Sequence, residues 1–243
     1  DAPTPVVNAG LTLNEGSTAA LTTALLGVND ADHTAAQLSY TVVTAPAQGQ
    51  LALSNAPGTA ISSFTQAQID DGLVVYVHSG DEALADSFQF TVSDAAGSAL
   101  PQATFNITVQ AQNDAPTQTT LGSLTTTEGG TTTLGADLLN LSDVDNTPAQ
   151  LTDTILSTTT HGQLELSSAP GTAVSSFTQA QINDGLLRYV HDGSETTTDS
   201  FSFTVSDGSG GTLTEATFSI NITPVNDAPT PVVNAGLTLD EGG

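Results

Sequence analysis

The side chains that could do chemistry in this chain are overwhelmingly carboxylates. Its 243 residues contain 26 Asp and Glu and four His, against one basic side chain, Arg188, and no Cys. Without cysteine neither a disulfide framework nor a thiolate metal site can form, so hard cations with oxygen ligands remain. A formal charge of -25 makes folding costly through self-repulsion, and multivalent cations held by the acids would relieve it. Calcium is the cofactor that fits best.

Some of these acids are spaced in a way that favours ion binding. Asp143 and Asp145 form an Asp-x-Asp pair, as do Asp30 and Asp32. In an extended segment residues i and i+2 lie on the same side, so we expect Asp143 and Asp145 to bind one ion while Val144 faces inward. No Asp-x-Asp-x-Asp-Gly loop is present, which excludes an EF-hand. The alternative interpretation is that the acids are ordinary solvated loop residues.

The elements that must position these acids repeat along the chain. Asp-Ala-Pro-Thr starts at residue 1, at residue 114 and again at residue 227, so the repeat period is constant and no insertion separates the copies. A unit of this size suits one independently folded domain. Because the third copy is cut short, we expect the chain to be an internal excerpt of a longer protein. The predicted domains are repeat 1 at 1–113, repeat 2 at 114–226 and the truncated start of repeat 3 at 227–243.

Apolar residues alternate with polar ones within each copy. Residues 201–205 and 218–222 show the period-2 pattern of half-buried strands, and weaker alternation elsewhere gives about seven strands per copy. The sequence therefore predicts an all-β chain of tandem immunoglobulin-like or cadherin-like β-sandwich domains. Thr178 and Gln181 match a capping box followed by Gly185, which predicts one helical turn, with an ordinary loop as the alternative.

Residues 161–211, with their counterpart at 48–97, resemble the chondroitin-sulfate-proteoglycan repeat. This is a cadherin-like domain that is also found in giant bacterial surface proteins, and the resemblance covers both complete copies. Each copy ends with Phe-Thr-Val-Ser-Asp, a final strand and Asn-Asp-Ala-Pro. That ending is similar to the cadherin pattern of a strand-closing Asp and an Asn-Asp-x-x-Pro linker. The chain thus resembles the extender domains of large bacterial adhesins of the RTX-adhesin type.

The resemblance implies calcium at the junctions between domains. Acids from the bottom of one domain, from the linker and from the top of the next would share two or three ions. The residues that match at the junction of the two copies are Glu15, Glu82, Asn113, Asp114, Asp143, Asp145 and Asp207. The acidic loop of cadherins has only a loose counterpart here, since position 79 is Ser where position 192 is Asp. Asp86 or Asp199 could therefore replace the acid of that loop.

The same resemblance implies incomplete sites at the two ends of the chain. One half-site would be the top of the first copy, and the other would be the bottom of the second copy with its linker. We expect either half-site to bind weakly or to borrow ligands. The upper half-site comprises Asp1, Asp30, Asp32 and Asp94. The lower half-site comprises Glu128, Glu195, Asn226 and Asp227. Asp192, in the loose counterpart of the acidic loop, is a further candidate ligand.

Other functional classes fit the sequence poorly. His78 and His191 lack a neighbouring nucleophile and oxyanion donor, and the chain has no Trp and three Tyr with which to line a glycosidase cleft, so we expect no enzyme. The negative charge repels nucleic acid and anionic lipid, and no apolar stretch approaches the roughly 20 residues that span a bilayer. The predicted partners are neighbouring repeats of the same chain.

The predicted function is that of a calcium-rigidified extender of a large adhesin, extracellular and at the cell surface. The alternative is a directly adhesive module that binds a protein, a glycan or its own copies, including calcium-dependent self-association. A binding module usually presents aromatic or basic side chains, which this Thr- and Ser-rich chain largely lacks.

Overall fold

The computed structural model describes residues 1–229, and these residues are almost entirely strands and loops. The chain forms two compact units, Asp1–Gln112 and the part that begins at Asn113. The predicted all-β class is confirmed. Most of the predicted third repeat, residues 230–243, lies outside the described residues.

The first unit contains two main sheets and a separate pair of strands. The five-stranded sheet has the order β2-β11-β10-β5-β8, the four-stranded sheet has the order β3-β9-β6-β7, and β1 pairs with β4. Neighbouring strands are antiparallel except that β2 runs parallel to β11. The strands are β1 (Thr4–Asn8), β2 (Leu11–Asn14), β3 (Thr18–Ala20), β4 (Leu26–Asn29), β5 (Ser39–Thr44), β6 (Gly49–Leu53), β7 (Ala56–Ala60), β8 (Ser63–Thr65), β9 (Val74–His78), β10 (Ala85–Ser93) and β11 (Ala103–Gln110).

The second unit repeats this arrangement with one strand fewer among its described residues. A five-stranded sheet has the order β13-β21-β20-β16-β18, a three-stranded sheet has the order β14-β19-β17, and β12 pairs with β15. The strands are β12 (Thr117–Leu121), β13 (Ser123–Thr127), β14 (Thr131–Thr133), β15 (Leu139–Ser142), β16 (Thr152–Ser157), β17 (Gly162–Leu166), β18 (Ser176–Thr178), β19 (Leu187–His191), β20 (Thr198–Ser206) and β21 (Thr212–Thr223).

Both units contain more strands than the seven expected. One reason is that the first segment of the first unit is interrupted at Gly10, so that β1 pairs with β4 and β2 pairs with β11. Gly10 has a φ of +82°, and a Cβ there would lie 2.9 Å from the carbonyl oxygen of Asn106. Only glycine adopts this conformation without strain, which accounts for the glycine at this position of the first unit. Sequence alternation alone does not reveal such a break.

Each unit has its own core, built from the inward-facing residues of its sheets. In the second unit Phe201, Phe203 and Phe218 are fully buried, and the ring centroids of Phe201 and Phe218 lie 5.4 Å apart. Phe88 and Phe105 occupy the same places in the first unit. Stacked aromatic pairs contribute about 0.5–1.5 kcal/mol beyond their buried area. The period-2 pattern thus identified the core strands correctly.

The predicted helical turn is confirmed, and it supports the strand that leads into the acidic loop. Helix α2 (Gln179–Asn183) is capped by Thr178, whose backbone amide donates to Oε1 of Gln181 at 2.9 Å. Buried Gln179 accepts the amide of Leu141 at 3.0 Å, which ties β15 to the helix. Helix α1 (Gln66–Asp70) does the same for β4 in the first unit. A 3-10 helix spans Ala35–Gln37.

Candidate metal centres

In the second unit the candidate acids Asp143 and Asp207 each directly follow the end of a strand. Asp143 follows β15, and its Oδ1 accepts the backbone amides of Asp145 and Asn146, both at 2.9 Å. These bonds fix the carboxylate and leave Oδ2 buried with no hydrogen-bond partner. The side-chain oxygen of Asn146 is also buried without a partner. Two oxygen atoms of one loop are therefore buried away from water and accept no hydrogen bond.

Asp207, which closes β20, is held by a nest of amides. Its Oδ1 accepts the amides of Ser209, Gly210 and Gly211 at 2.7–3.0 Å, and the side chain is almost fully buried. Its Oδ2 accepts the side-chain amide of Asn113 at 2.7 Å. The Asn113 amide, followed by the backbone amides, holds the pKa of Asp207 below its usual range. The carboxylate is thus ionised, oriented and adjacent to the linker.

The linker also contacts the Asp143 loop. The amide of Asp114 donates to Oδ2 of Asp145 at 2.7 Å. The expectation that Val144 faces inward is wrong, because its side chain is 65% exposed. The loop bends after Asp143, whose Oδ1 accepts the next amides, and is not extended, so the two-residue alternation of a strand does not apply.

The first unit repeats this site, with His33 in the place of Asn146. Oδ1 of Asp30 accepts the amides of Asp32 and His33, at 2.8 and 3.0 Å, and Oδ1 of Asp94 accepts the amide of Ser98 at 2.8 Å. The amide of Asp32 is the largest cause, and the His33 ring a smaller one, of a lowered pKa at Asp30. The second oxygens of Asp30 and Asp94 are again buried without hydrogen-bond partners. A buried aspartate oxygen without a hydrogen-bond partner therefore occurs at the equivalent position of both units, on Asp30 and on Asp143.

Sequence reasoning missed His33 and Asn146, which take part at these two places. The signal was available, since each directly follows an Asp-x-Asp pair and the two occupy equivalent positions of the repeat. Asp32, which was predicted to be a ligand, accepts from the nitrogen of Asp1 at 2.9 Å, as Asp145 accepts from the amide of Asp114 in the second unit. The ring nitrogen of His33 lies beside Asp30 and Asp94.

At the opposite end of the second unit, three predicted acids come together. Ligand oxygens of Glu128, Glu195 and Asp227 all lie within 4.8 Å of one another. Glu128 is fixed by the amide of Val225, which donates to its Oε2 at 3.1 Å, and Asn226 donates to the carbonyl of Asp227. Three carboxylates this close repel one another, and a cation among them would remove that repulsion.

The first unit has the matching pair. A carboxylate oxygen of Glu15 lies within 4.8 Å of one of Glu82, and Oε2 of Glu15 accepts the amide of Gln112 at 3.2 Å. Gln112 and Val225 are one repeat period apart, as are Glu15 and Glu128. The bond from the linker backbone to this glutamate is therefore a feature of both units.

Asp86 and Asp199, predicted as substitutes for the loop acid, have a different role. Asp86 accepts the amides of Ala47, Gln48 and Ser87 and the hydroxyl of Tyr76 at 2.7–3.0 Å. Burial acts to raise its pKa, but these donors outweigh burial and the pKa is lowered. The bonds recur at Asp199. Their oxygens hold a loop to a strand, and the structure does not bring them to the acid clusters.

Asp192 and the two strand-closing histidines also serve the local fold. Asp192 is exposed, and its Oδ1 accepts the amide of Ser194 at 2.8 Å. Nδ1 of His191 accepts the amides of Gly129 and Gly193 at 3.0 and 3.2 Å, and His78 repeats the pattern. A ring nitrogen used in this way orders two turns.

The chemistry of the clusters is that of hard-cation binding. Charged or polar oxygens buried without partners cost free energy, and an ion that they coordinate removes that cost. The residues fit calcium because they supply carboxylate and amide oxygens held in fixed loops, and calcium takes six to eight oxygens. Asp143 and Asn146 carry the clearest case in the second unit, and the side-chain amide of Asn146 donates to the backbone carbonyl of Asp207 at 3.5 Å.

Comparison with known proteins identifies the domains. The profile of the cadherin-like family matches residues 3–109 and 116–222. Extracellular matrix protein 3 of Lytechinus variegatus is 35% identical over 249 residues, which are 97% of this chain and 8% of that protein. Human Chondroitin sulfate proteoglycan 4 is 31% identical over 227 residues, 85% of this chain and 9% of that protein. Chicken VE-cadherin EC1-2 is 12% identical with a TM-score of 0.38, covering 91% of this chain and 100% of that structure.

These relatives bear on the predictions made from sequence. The resemblance to the chondroitin-sulfate-proteoglycan repeat is confirmed, and the chain spans less than a tenth of the length of the two relatives. Extracellular matrix protein 3 and two human relatives, FRAS1-related extracellular matrix protein 2 and Extracellular matrix organizing protein FRAS1, are matrix proteins by name, and the extracellular location is confirmed. In residues 1–229 no helix is long and apolar enough to cross a membrane. The two units are extracellular modules in tandem, and the chain belongs to the cadherin-like family.

Proposed function

We propose that the chain is a calcium-binding structural extender, in which ions at the junctions between domains stiffen a tandem array. The observation that carries the proposal is the pair of buried oxygens without hydrogen-bond partners on Asp143 and Asn146 of the second unit, of which that on Asp143 recurs at Asp30 of the first. Folded proteins leave few buried polar atoms unpaired, and unpaired atoms that recur in two units call for a ligand. A calcium ion is the ligand that oxygen donors without thiolates favour.

The proposed ions lie between the base of one domain and the top of the next. The base supplies Glu15 and Glu82, and the repeat assigns Asp114 to them because Asp227 accompanies Glu128 and Glu195 at the equivalent positions of the next copy. The remaining ligands come from the linker and the top of the second unit. They are Asn113, Asp143, Asp145 and Asp207, to which the structure adds Asn146 as a candidate.

The mechanical effect follows from electrostatics. Without cations the acids at a junction repel one another, which favours orientations of the linker that keep them apart. With cations the same carboxylates share ligand positions, and the binding free energy becomes free energy that fixes the junction. The side-chain amide of Asn113 donates to Oδ2 of Asp207. Rotation of that amide would present its oxygen to an ion instead.

The larger setting that we propose is an adhesin in which many such repeats hold a binding region away from the cell, as in giant bacterial surface proteins. Support comes from the sequence resemblance and from the constant repeat period. The relatives named above are animal matrix proteins, and a spacer role is compatible with both settings.

Small-angle X-ray scattering of this chain in calcium and then in chelator tests the stiffening. We expect a larger maximum dimension and a narrower distance distribution with calcium. The double variant Asp143→Asn with Asp207→Asn should keep the apo profile in calcium. Asp137→Asn with Asp184→Asn, which changes two exposed acids outside the clusters, is the charge-matched control and should respond like the original chain. An unchanged maximum dimension on calcium addition would contradict the proposal.

A second candidate function is calcium-dependent self-association. The observation that favours it is β7, which lies at the edge of its sheet and is exposed along its whole length. Exposed edge strands are templates for pairing with another chain. Sedimentation velocity across calcium concentrations separates the two functions. The adhesive function requires a larger sedimenting species in calcium, whereas the extender alone stays monomeric.

A further inference from the structure

One of the candidate centres contains a nitrogen donor that the others lack. In the first unit His33 stands where the second unit has Asn146. Its Nδ1 lies 3.0 Å from Oδ1 of Asp30 and 3.8 Å from Oδ2 of Asp94. Ligand atoms of the three residues all lie within 4.8 Å of one another. The group therefore offers two carboxylates and one imidazole at a single point.

Each of the two carboxylates has one oxygen that protein donors hold and one that is buried without a donor among the described residues. The side chains of Asp30 and Asp94 are completely buried, and His33 is 15% exposed. Backbone amides hold Oδ1 of each Asp, so both carboxylates are locked in orientation. Oδ2 of each is buried with no hydrogen-bond partner. Locked, buried and unpaired oxygens beside an imidazole distinguish this group from a cluster of solvated acids.

The separations suit a small divalent ion. Two ligands held tetrahedrally at about 2.1 Å lie about 3.4 Å apart, which is close to the 3.8 Å between Nδ1 of His33 and the unpaired Oδ2 of Asp94. The 3.0 Å contact between the His33 ring and Oδ1 of Asp30 is a hydrogen bond that holds the imidazole beside the two acids. Asp30 and His33 also line a cavity of about 150 Å³, which gives room for ion entry and for a bound water. Three protein ligands with a water in the fourth position is a common arrangement for zinc.

We infer that Asp30, His33 and Asp94 form a site for a borderline divalent transition ion, of which Zn²⁺ is the representative, rather than a second copy of the calcium site. The reason is donor chemistry: imidazole nitrogen suits Zn²⁺, whereas hard Ca²⁺ prefers oxygen. Asn146 keeps the equivalent site of the second unit all-oxygen. This inference rests on the proposed function, because it names the ion at one of its sites.

The test is zinc binding to the whole chain in an excess of calcium, measured by competition with a chromophoric chelator. Co²⁺ absorption gives an independent report of nitrogen and oxygen ligation. We expect one tightly bound Zn²⁺ per chain. His33→Asn, which installs the residue of the second unit, should weaken zinc binding by more than about 100-fold, because even loss of a second-shell partner typically costs 10–100-fold.

Two further variants guard against trivial explanations. His161→Gln installs the residue found at position 48 of the first unit and should leave zinc binding unchanged. Asn146→His should create a second zinc site, a gain that misfolding does not produce. The inference is overturned if the original chain binds no zinc in calcium, if His33→Asn binds it equally well, or if Asn146→His gains no site.

Calcium titration of the same samples separates this inference from the proposed function. Calcium binding with no zinc site would overturn the inference alone. Zinc binding with no calcium binding would overturn the proposed function alone.

Discussion

The two units have the same fold, but the second carries ionisable groups in places where the first is neutral. At one position Tyr40 is buried, with its hydroxyl donating to Gln66 at 2.7 Å, and its counterpart is Asp153. Asp153 is completely buried, and neither carboxylate oxygen has a hydrogen-bond partner. Burial raises its pKa to about 7. The hydroxyl of Tyr40 thus has a hydrogen-bond partner in the first unit, whereas the carboxyl group of Asp153 has none in the second.

A second difference lies in the other sheet. Glu165 is buried in β17 and accepts from Arg188 at 2.6 Å and from Gly171 at 2.7 Å, whereas the first unit has Ala52 and Val75 at the two matching positions. The amide of Gly171 is the largest cause of a lowered pKa at Glu165. These differences show that this fold tolerates charge in its interior, but only where partners are supplied.

Replacement of Asp153 should sharpen the comparison most. The pKa rise from 3.8 to about 7 corresponds to about 4 kcal/mol near pH 8. We therefore expect Asp153→Leu to stabilise the second unit by about this amount. Urea unfolding followed by hydrogen-exchange mass spectrometry reports each unit separately. Tyr40→Phe, which removes a satisfied hydroxyl, is the contrasting variant and should destabilise the first unit. A neutral or destabilising effect of Asp153→Leu would contradict the account.

The pH dependence of the second unit should reveal the same group. Between pH 3.8 and about 7 the folded protein holds up to one proton more at Asp153 than the unfolded chain does, so stability falls as the pH rises. From pH 5 to pH 7 the expected loss is about 2 kcal/mol, with a slope of at most about 1.4 kcal/mol per pH unit. Asp153→Asn should abolish this slope. Persistence of the slope in that variant would assign it to other groups.

Removal of one partner from the buried ion pair should have a smaller effect. Arg188→Val leaves Glu165 buried without its cation, and we expect the melting temperature of the second unit to fall by roughly 10 °C. The double variant Glu165→Ala with Arg188→Val installs the residues of the first unit and should recover most of the loss. If the double variant melts as low as the single one, the pair contributes through packing rather than charge.

Much of the fold could be predicted because its signals are local. Alternation placed the core strands around Phe203 and Phe218, and the capping box at Thr178 predicted a helical turn that the structure contains. The strand-closing position of Asp207 and the acid pair that begins at Asp143 pointed to the candidate site. These features depend on residues within a few positions of one another, which a sequence displays directly.

The remaining features depend on contacts between distant residues. The segment Ala-Pro-Gly-Thr-Ala forms β7 at residues 56–60, yet at residues 169–173 the same letters form a turn with one isolated bridge. In the second unit Glu165 accepts the amide of Gly171, and in the first unit Ala52 offers no acceptor. Identical local sequence therefore adopts two conformations. The position of His33 directly after an Asp-x-Asp pair is visible in the sequence, but only the fold brings its ring to Asp94.

The central claim is that the unpaired buried oxygens of Asp143 and Asn146 in the second unit are calcium ligands. Isothermal titration of the chain with calcium, compared with Asp143→Asn, Asp207→Asn and the charge-matched control Asp137→Asn, tests it most directly. The account predicts that the first two variants each lose calcium binding at the second unit, while the control binds like the original chain. Equal calcium binding by all four proteins, or no binding by the original chain, would contradict it.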